Sequence, residues 1–341
     1  MNPVLSIVIV NWNSARYVRE CLHCIQRNPP ETPFEVIVID SGSFDDCQSM
    51  LQREFPTVKF IQSEANVGFA TGNNLGAAQA AGRVLLFLNP DTEVSADALN
   101  QLLRALGSEP DAGLVGARLL NTDRSLQTSC VQNFPTVLNQ VLDSELLRRL
   151  FPRSSLWGVQ ALFTENNAPK SVEVISGACI MIKREVFDSI GGFDQHYFMY
   201  SEDLDLCYRV KAAGFECLYV PGAQIVHHGG GSSSAAKSMF SVVMMRESVS
   251  RFFRSHHSSF HAMCYRLALG ISALLRIPLI LLMKVVQVAL GNPRFSAPVK
   301  KWIAILRWSI GLERWAKEKR GGTKNIFSVH SQASPEEPAK A

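Results

Sequence analysis

Residues 85–94 read LLFLNPDTEV, an apolar run that stops abruptly on Asn89, Pro90 and Asp91. A run this short and this continuous reads as a strand buried on both faces. A carboxylate at its end is costly to bury unless something pairs with it. Two explanations stand side by side. Asn, Pro and Asp are common turn residues, with Thr92 or Ser95 placed to cap the next helix; alternatively, Asp91 is a metal ligand at the mouth of a sheet.

Similar runs recur on both sides of it: LSIVIV at 5–10, FEVIVID at 34–40, VKFIQ at 58–62, RVLLFLN at 83–89 and AGLVGARLL at 112–120. Between them lie stretches of helical composition around 14–27, 45–54, 71–80 and 96–106. Buried strands alternating with helices predict an α/β chain, Rossmann-like, with a mostly parallel sheet flanked by helices. In such sheets ligands bind beyond the carboxyl ends of the strands. Three of the runs end in polar groups there: Asn11 and Asn13 after the first, Asp40 after the second, Asn89 and Asp91 after the fourth. Convergence of several polar strand ends on one crevice favours a ligand site over a set of unrelated turns. No G-x-G-x-x-G follows the first strand, no Walker A sequence is present, and NVGFATGNNLGAAQAAG spaces Gly68, Gly72 and Gly76 by four. A bound nucleotide is therefore held by side chains and metal, not by a glycine-rich phosphate loop.

The 341 residues, 47% hydrophobic, suffice for a large core and exclude a disordered chain. The net charge of +4 hides an asymmetry: residues 237–341 carry +12 and residues 1–236 carry −8, which predicts an anionic partner for the basic end. Eight cysteines lack disulfide-framework spacing, and MNPVLSIVIVNWN has neither a basic start nor an apolar run long enough for a signal peptide. The expectation is a cytoplasmic protein with free thiols, in which Cys21 and Cys24 act as small buried hydrophobes and not zinc ligands.

Downstream, GGFDQHYFMYSEDLDLCYRVKAAG at 191–214 predicts an amphipathic helix stopped by Gly214, with Asp205 and Arg209 paired at i, i+4. Glu202 and Asp203 fall in its first turn, where the helix dipole favours acids by about 0.3–1 kcal/mol. Behind the aromatics Tyr197, Phe198 and Tyr200, the same pair also offers a carboxylate in half-apolar surroundings, able to take a proton. AQIVHHGGGSSS at 223–234 reads as a strand ending in His227 and His228. Asp91 plus His227 is a reasonable donor set for Mg²⁺ or Mn²⁺, with phosphate oxygens completing the shell.

The series IVNWN, IDSGSFDD, NVGFATGNN, LFLNPDT, SGAC, GGFDQHYFMYSEDLDLCYR and VHHGGGSS, in that order across roughly residues 4–234, closely resembles the family 2 glycosyltransferases of the GT-A fold, and most of all their rhamnosyltransferase branch. The resemblance implies a catalytic domain over 1–235, with a nucleotide-sugar half at about 1–120 and an acceptor half at about 121–235. A helical membrane-associating region follows at 236–320, and a disordered tail at 321–341. It implies that Asn11 and Asp40 contact the nucleoside, that Asp45 orders the second loop and that Asn66 lines the nucleotide pocket. Asn13, Gly68 and Asn74 complete the donor side. Asn89 and Asp91 stand where the family carries Asp-x-Asp, with Asn89 replacing the first acid; Asp91 and His227 would hold the metal. Asp203 matches the catalytic base, while Glu202 and Gly177 shape the sugar and acceptor pocket. The implied reaction is an inverting transfer of one sugar, L-rhamnose from dTDP-L-rhamnose, to a lipid-linked saccharide of a bacterial surface polysaccharide. A donor such as a UDP-hexose, or a catalytically degenerate sugar-nucleotide-binding scaffold, is the alternative. A nucleotidylyltransferase is disfavoured, because IVIVNWNSAR lacks a glycine and basic phosphate signature.

Residues 262–290, AMCYRLALGISALLRIPLILLMKVVQVAL, are the most apolar stretch, cut by Arg266, Arg276 and Lys284. On a helical wheel at about 100° per residue, Arg266, Arg276, Lys284, Gln287 and Ser272 share one third of the circumference. The expectation is a helix lying flat on the inner face of the cell membrane, basic side chains toward anionic headgroups. The alternative is packing on the catalytic domain or in a homodimer. Trp302, Trp308 and Trp315 follow among further cations. No nucleic-acid-binding module accompanies them. Arg307–Trp308 follows Ala304 where processive synthases of this fold carry the Gln of Q-x-x-R-W, which favours a single transfer.

Overall fold

A computed structural model describes residues 2–142, 168–229, 239–289 and 299–318; the tail expected at 321–341 lies outside them. Chain order begins β1 (Leu5–Asn11), α1 (Ala15–Arg27), β2 (Phe34–Asp40), α2 (Cys47–Glu54), β3 (Lys59–Gln62), α3 (Gly68–Gln79), β4 (Val84–Leu88), β5 (Thr92–Val94), α4 (Ala98–Ser108) and β6 (Ala112–Leu120). Each apolar run in the first 120 residues is thus a strand within a residue or two of its expected bounds. The reason is local: Val, Ile and Leu runs of this length pay the cost of ordering only when both faces are covered.

β7 (Val131–Gln132), α5 (Val137–Leu142), β8 (Lys170–Val172), β9 (Val174–Ile175), β10 (Cys179–Lys183), α6 (Arg184–Ser189), α7 (Glu202–Ala212) and β11 (Glu216–His227) follow. The large sheet runs β3-β2-β1-β4-β10-β6-β11-β5, with β8 also paired to β11. β3, β2, β1 and β4 are parallel neighbours, as are β6 and β11. Only β10, β5 and β8 run against their partners, so the sheet is mostly parallel. β10 inserts between β4 and β6, a pairing across nearly a hundred residues of sequence that no local pattern announces.

β11 is long because it serves two purposes. Its first half pairs with β6 from Cys217 to Val220; a register shift follows, and the second half resumes at Gln224. Bulges of this kind re-aim a strand at sheet edges and near active sites. Here the re-aimed half pairs with β5, placing His227 opposite Thr92.

The last helices are α8 (Met239–His256), α9 (Ser259–Ala289), α10 (Val299–Ser309) and α11 (Trp315–Glu318). α8 does not stand apart from the sheet domain. Phe252 belongs to the main core, and His256 Nε2 meets the buried Asp205 carboxylate at 2.6 Å, beside the expected Asp205–Arg209 pair at 2.6 Å. The boundary expected at 235 lies outside the described residues, and α8 after it packs on the sheet domain. α8, α9 and α10 share a second core around Tyr265, Trp302, Ile305 and Trp308.

The expected orientation of α9 is overturned. Arg266 donates to Glu247 on α8 at 3.0 Å and lies 4.3 Å over the Trp308 ring. Arg276 donates to the Val141 carbonyl at 2.8 Å and lies 4.4 Å over Trp302. Arg266, Ser272 and Arg276 face protein, because the buried Glu247 carboxylate demands a cation and two tryptophan faces accept the guanidinium groups. The apolar two thirds faces outward.

Candidate active site

The first two strands end side by side, Asn11 opposite Asp40 in the β1–β2 ladder. The buried Asn11 carboxamide donates to Asp40 Oδ2 at 2.7 Å and reaches Asp45 Oδ1 at 3.3 Å, while its own oxygen accepts the Ser14 N–H at 3.0 Å. Asp40 Oδ1 accepts from the Ser43 N–H at 2.8 Å and from Gln62 at 2.7 Å. Asp45 Oδ2 takes the Ala15 N–H at the start of α1, 2.8 Å away. Asn13, with φ +52°, accepts from the Phe44 N–H at 2.8 Å. This corner is a hydrogen-bonded frame in which Asp40 is committed to protein donors. Asp40, Asp45 and Cys47 bring ligand atoms within 4.8 Å of one another. Burial, then the neighbouring carboxylates Asp45, Asp40 and Asp46, push the Cys47 thiol up to about 12.

The third loop is anchored in the same manner. Asn66 Oδ1 accepts the Ser41 hydroxyl at 3.2 Å and the Gly68 N–H at 3.0 Å. Gly68 has φ +79°, and a Cβ there would lie 2.3 Å from the Phe198 carbonyl oxygen, so only glycine lets α3 start beneath that loop. Asn74 spends its amide on the main chain of Phe193, donating at 2.8 Å and accepting at 2.9 Å. It is a clamp between α3 and the 191–200 loop, which differs from the donor contact expected of it.

Asp91 and His227 come together because β5 and β11 are neighbours. The His228 N–H donates to the Asp91 carbonyl at 2.9 Å, and His227 Nε2 stands 3.3 Å from Asp91 Oδ1. The imidazole is oriented from behind by Gln127. Gln127 Nε2 donates to Asn121 Oδ1 at 3.2 Å and to the His227 carbonyl at 3.4 Å, which turns Oε1 toward His227 Nδ1 at 2.8 Å. Oε1 only accepts, so Nδ1 carries a hydrogen, and in the neutral imidazole Nε2 is the acceptor that faces the Asn89 amide at 3.3 Å. An imidazole nitrogen and a carboxylate oxygen 3.3 Å apart are a donor pair that fits a bound cation, and the hydrogen-bonded Nδ1 is the support that metal-binding histidines use. Sequence reasoning missed Gln127, a loop residue with no motif around it.

Asp203 lies on the far side of Asn89. Its Oδ2 accepts the Gly177 N–H at 2.8 Å, and the Asn89 N–H donates to the carbonyl of Ala178, the next residue, at 3.0 Å. Two hydrogen bonds, through the adjacent residues Gly177 and Ala178, thus link the acid of α7 to the strand end that carries Asp91. A Cβ on Gly177 would lie 3.3 Å from the Asp203 Cβ, tight enough to push that carboxylate. Burial raises the Asp203 pKa, and the Gly177 and Leu204 N–H groups pull part of the way back. Glu202 is buried, with Oε2 finding no hydrogen-bond partner among the described residues. Burial and then the Asp203 charge push it up to about 8, so it is largely protonated at neutral pH. Both carboxyl groups are thus raised, so the pair holds a proton more readily than two free carboxylates do. Tyr200 and Ser201, just before α7, hold φ of +70° and +65°. Two consecutive non-glycine residues in the left-handed region are strained, and such strain gathers at functional sites.

The model of glycosyl transferase family 2 matches residues 6–191, and that of the N-terminal domain of galactosyltransferase matches 159–229. The N-acetylglucosaminyl-diphospho-decaprenol L-rhamnosyltransferase of Mycobacterium tuberculosis is 29% identical over 239 residues, 67% of this chain and 77% of that protein. Rhamnosyltransferase WbbL of Escherichia coli is 26% identical over 232 residues, 65% of this chain and 82% of that protein. In fold, the chain resembles the mannosyltransferase PcManGT from Pyrobaculum calidifontis, solved with GDP-Man and Mn²⁺, at a TM-score of 0.53 and 14% identity over 93% of this chain and 86% of that one. The family model covers more than half of the chain, including both strand ends and the Gly177 turn, and the protein accordingly belongs to glycosyl transferase family 2 and is a glycosyltransferase of the GT-A fold.

Proposed function

We propose that the protein moves one sugar, L-rhamnose from dTDP-L-rhamnose, to a hydroxyl of a polyprenyl-diphosphate-linked saccharide, with inversion, at the inner face of the cell membrane during surface polysaccharide synthesis. The two relatives named as rhamnosyltransferases support the sugar, and the decaprenol in one of their names supports the lipid-linked acceptor. The observation that carries the reading is the link from the Asp203 carboxylate through Gly177, Ala178 and Asn89 to the Asp91–His227 pair. It supports a reading in which Asp203 as base and Asp91 with His227 as cation site serve one reaction.

Asp91 and His227 would hold Mg²⁺ or Mn²⁺, and the mixed oxygen and nitrogen donors suit Mn²⁺. The bound ion would stabilise charge on the departing diphosphate. Asn89, neutral where the family pattern has an acid, stands 3.3 Å from the imidazole and adds no charge to the cation site. Asn11, Asn13, Asp40, Asp45, Asn66 and Gly68 build the loops that receive the nucleotide. Asp203 takes the proton of the attacking hydroxyl at its carboxylate; its raised pKa makes it a stronger base than a free aspartate. Glu202, protonated and buried beside it, keeps the second negative charge out of the pocket. One base on the acceptor side, with no second nucleophile predicted on the donor side, favours a single displacement. The nucleotide-sugar half lies at about 1–120 and the acceptor half at about 121–235, with the helices after them as the membrane-facing part.

Purified protein is incubated with dTDP-rhamnose, UDP-glucose, UDP-galactose and GDP-mannose, with and without Mn²⁺, and nucleoside diphosphate release is measured. Metal-dependent release from dTDP-rhamnose alone supports the assignment. Release from a UDP-hexose instead replaces the donor, and no release from any donor favours a sugar-nucleotide-binding scaffold.

A further inference from the structure

α9 is an amphipathic helix turned inside out. Between Met263 and Val286 every exposed side chain is apolar, over about 35 Å of helix. Leu267, Ile271, Leu275, Leu279 and Leu282 are 55–68% exposed. Monomeric soluble proteins rarely leave a contiguous apolar surface of this extent uncovered. The opposite side of the same helix is fixed to protein by Arg266 and Arg276, both of which lie over tryptophan faces.

We infer that the outer face of α9 is an in-plane membrane anchor, sunk among the acyl chains at the headgroup boundary, and that hydrocarbon contact and not adhesion of cations is what holds the protein on the bilayer. Among the described residues this is the one helix long and apolar enough to cross a membrane. Crossing is opposed by its inner side, which from Ala262 to Ile280 packs into the core shared with α8 and α10 and engages Glu247 through Arg266. A spanning helix would carry that polar assembly into hydrocarbon, where buried charge is expensive. A second copy of the chain is the other candidate occupant. Protein interfaces carry about one hydrogen bond per 100–200 Å² and a polar rim. The exposed side chains from Met263 to Val286 include no hydrogen-bond donor, Cys264 and Lys284 being half-buried. The cations that lipid phosphates would meet lie on the adjoining helices: Lys300, Arg307, Arg314 and Lys317 are exposed on α10 and α11 and between them. Ile303, Ile310 and Leu312 extend the apolar surface onto α10 and the turn after it.

The inference shares only the membrane with the functional proposal, and its test uses no donor. Full-length protein is floated with vesicles of pure phosphatidylcholine and of phosphatidylcholine with phosphatidylglycerol, at 0.1 M and 1 M NaCl. Capture by both vesicle types, with less than a threefold loss at 1 M salt, is expected, because screening at a Debye length near 3 Å removes surface electrostatics but not hydrophobic burial. Ile271→Glu/Leu275→Glu should lower partitioning at least a hundredfold, while circular dichroism, melting temperature and monomeric sedimentation stay as in the wild type. Capture only by anionic vesicles, or release at high salt, overturns the inference in favour of electrostatic adhesion. A wild-type dimer in solution that the double variant converts to monomer assigns the face to a second copy and also overturns it. So does reaction of Cys264 or Lys284 with an impermeant reagent from the lumen of intact vesicles, which would show a spanning helix.

Discussion

Replacement of Asp203 by Asn separates chemistry from binding with the least disturbance. The carboxylate accepts two main-chain N–H groups at 2.8 Å, Gly177 on one oxygen and Leu204 on the other. Asparagine keeps one acceptor and turns an NH₂ toward the second donor, which costs about 1–3 kcal/mol if that N–H is left unsatisfied. Burying a neutral amide in place of a charge works in the opposite direction. The fold should therefore survive, with a melting temperature within roughly 5 °C of wild type. Turnover should not. A positioned base contributes about 10²–10⁴-fold, equivalent to roughly 3–5 kcal/mol of barrier. The assay is steady-state nucleoside diphosphate release with acceptor present, paired with calorimetric titration of the donor. The expectation is kcat down by two to four orders of magnitude and donor Kd within a factor of three. Asp203→Asn retaining more than a tenth of wild-type kcat would refute Asp203 as the base; equal loss of donor binding would make it a binding residue instead.

Gln127→Ala removes the acceptor that fixes His227 Nδ1 at 2.8 Å. The Mn²⁺ concentration for half-maximal turnover should rise about 10–100-fold with the fold intact, and an unchanged metal requirement would show that His227 is not a ligand. Glu202, pushed up to about 8 from 4.5, is stabilising while protonated, and that contribution is fully present below pH 4.5 and lost as pH rises to about 8. Glu202→Gln should match wild type near pH 4 and exceed it progressively up to pH 8, by a few kcal/mol at most; denaturant melts giving a pH-independent difference would contradict this. Burial alone would raise the Glu247 pKa, but bonds from Arg254 and Trp308 and the charges of Arg254 and Arg266 win and hold it below 4.5. Its stabilisation is present above pH 4.5 and lost as pH falls through the lower folded value. Glu247→Gln at pH 7 should cost about 3–5 kcal/mol, read by denaturant melts, because cations are left around a neutral amide.

The strands were legible because a buried parallel strand needs an unbroken apolar run, and LSIVIV, FEVIVID and LLFL are such runs. Asp91 was conspicuous because it ends one of them. Its partnership with His227 was not readable from spacing, since 136 positions of chain separate residues that β5 and β11 make neighbours. Gln127 acts through one hydrogen bond from a loop, and Tyr200 and Ser201 through backbone angles, neither of which has a residue-type signature. The orientation of α9 failed to follow from the wheel for a different reason. Periodicity shows which side chains share a face but not what that face meets, and a buried glutamate can claim a row of arginines as readily as water or phosphate can. Asn74 shows the same limit on a smaller scale: its place beside the motif was visible, and its commitment to the Phe193 main chain was not.

The central claim is a single displacement in which Asp203 deprotonates the acceptor across from a cation held by Asp91 and His227. The anomeric configuration of the sugar in the transferred product, read by NMR from a Mn²⁺-supplemented reaction, tests it most directly. Inversion relative to the donor is predicted. Retention would require a second displacement and a nucleophile on the donor face, and would contradict the account.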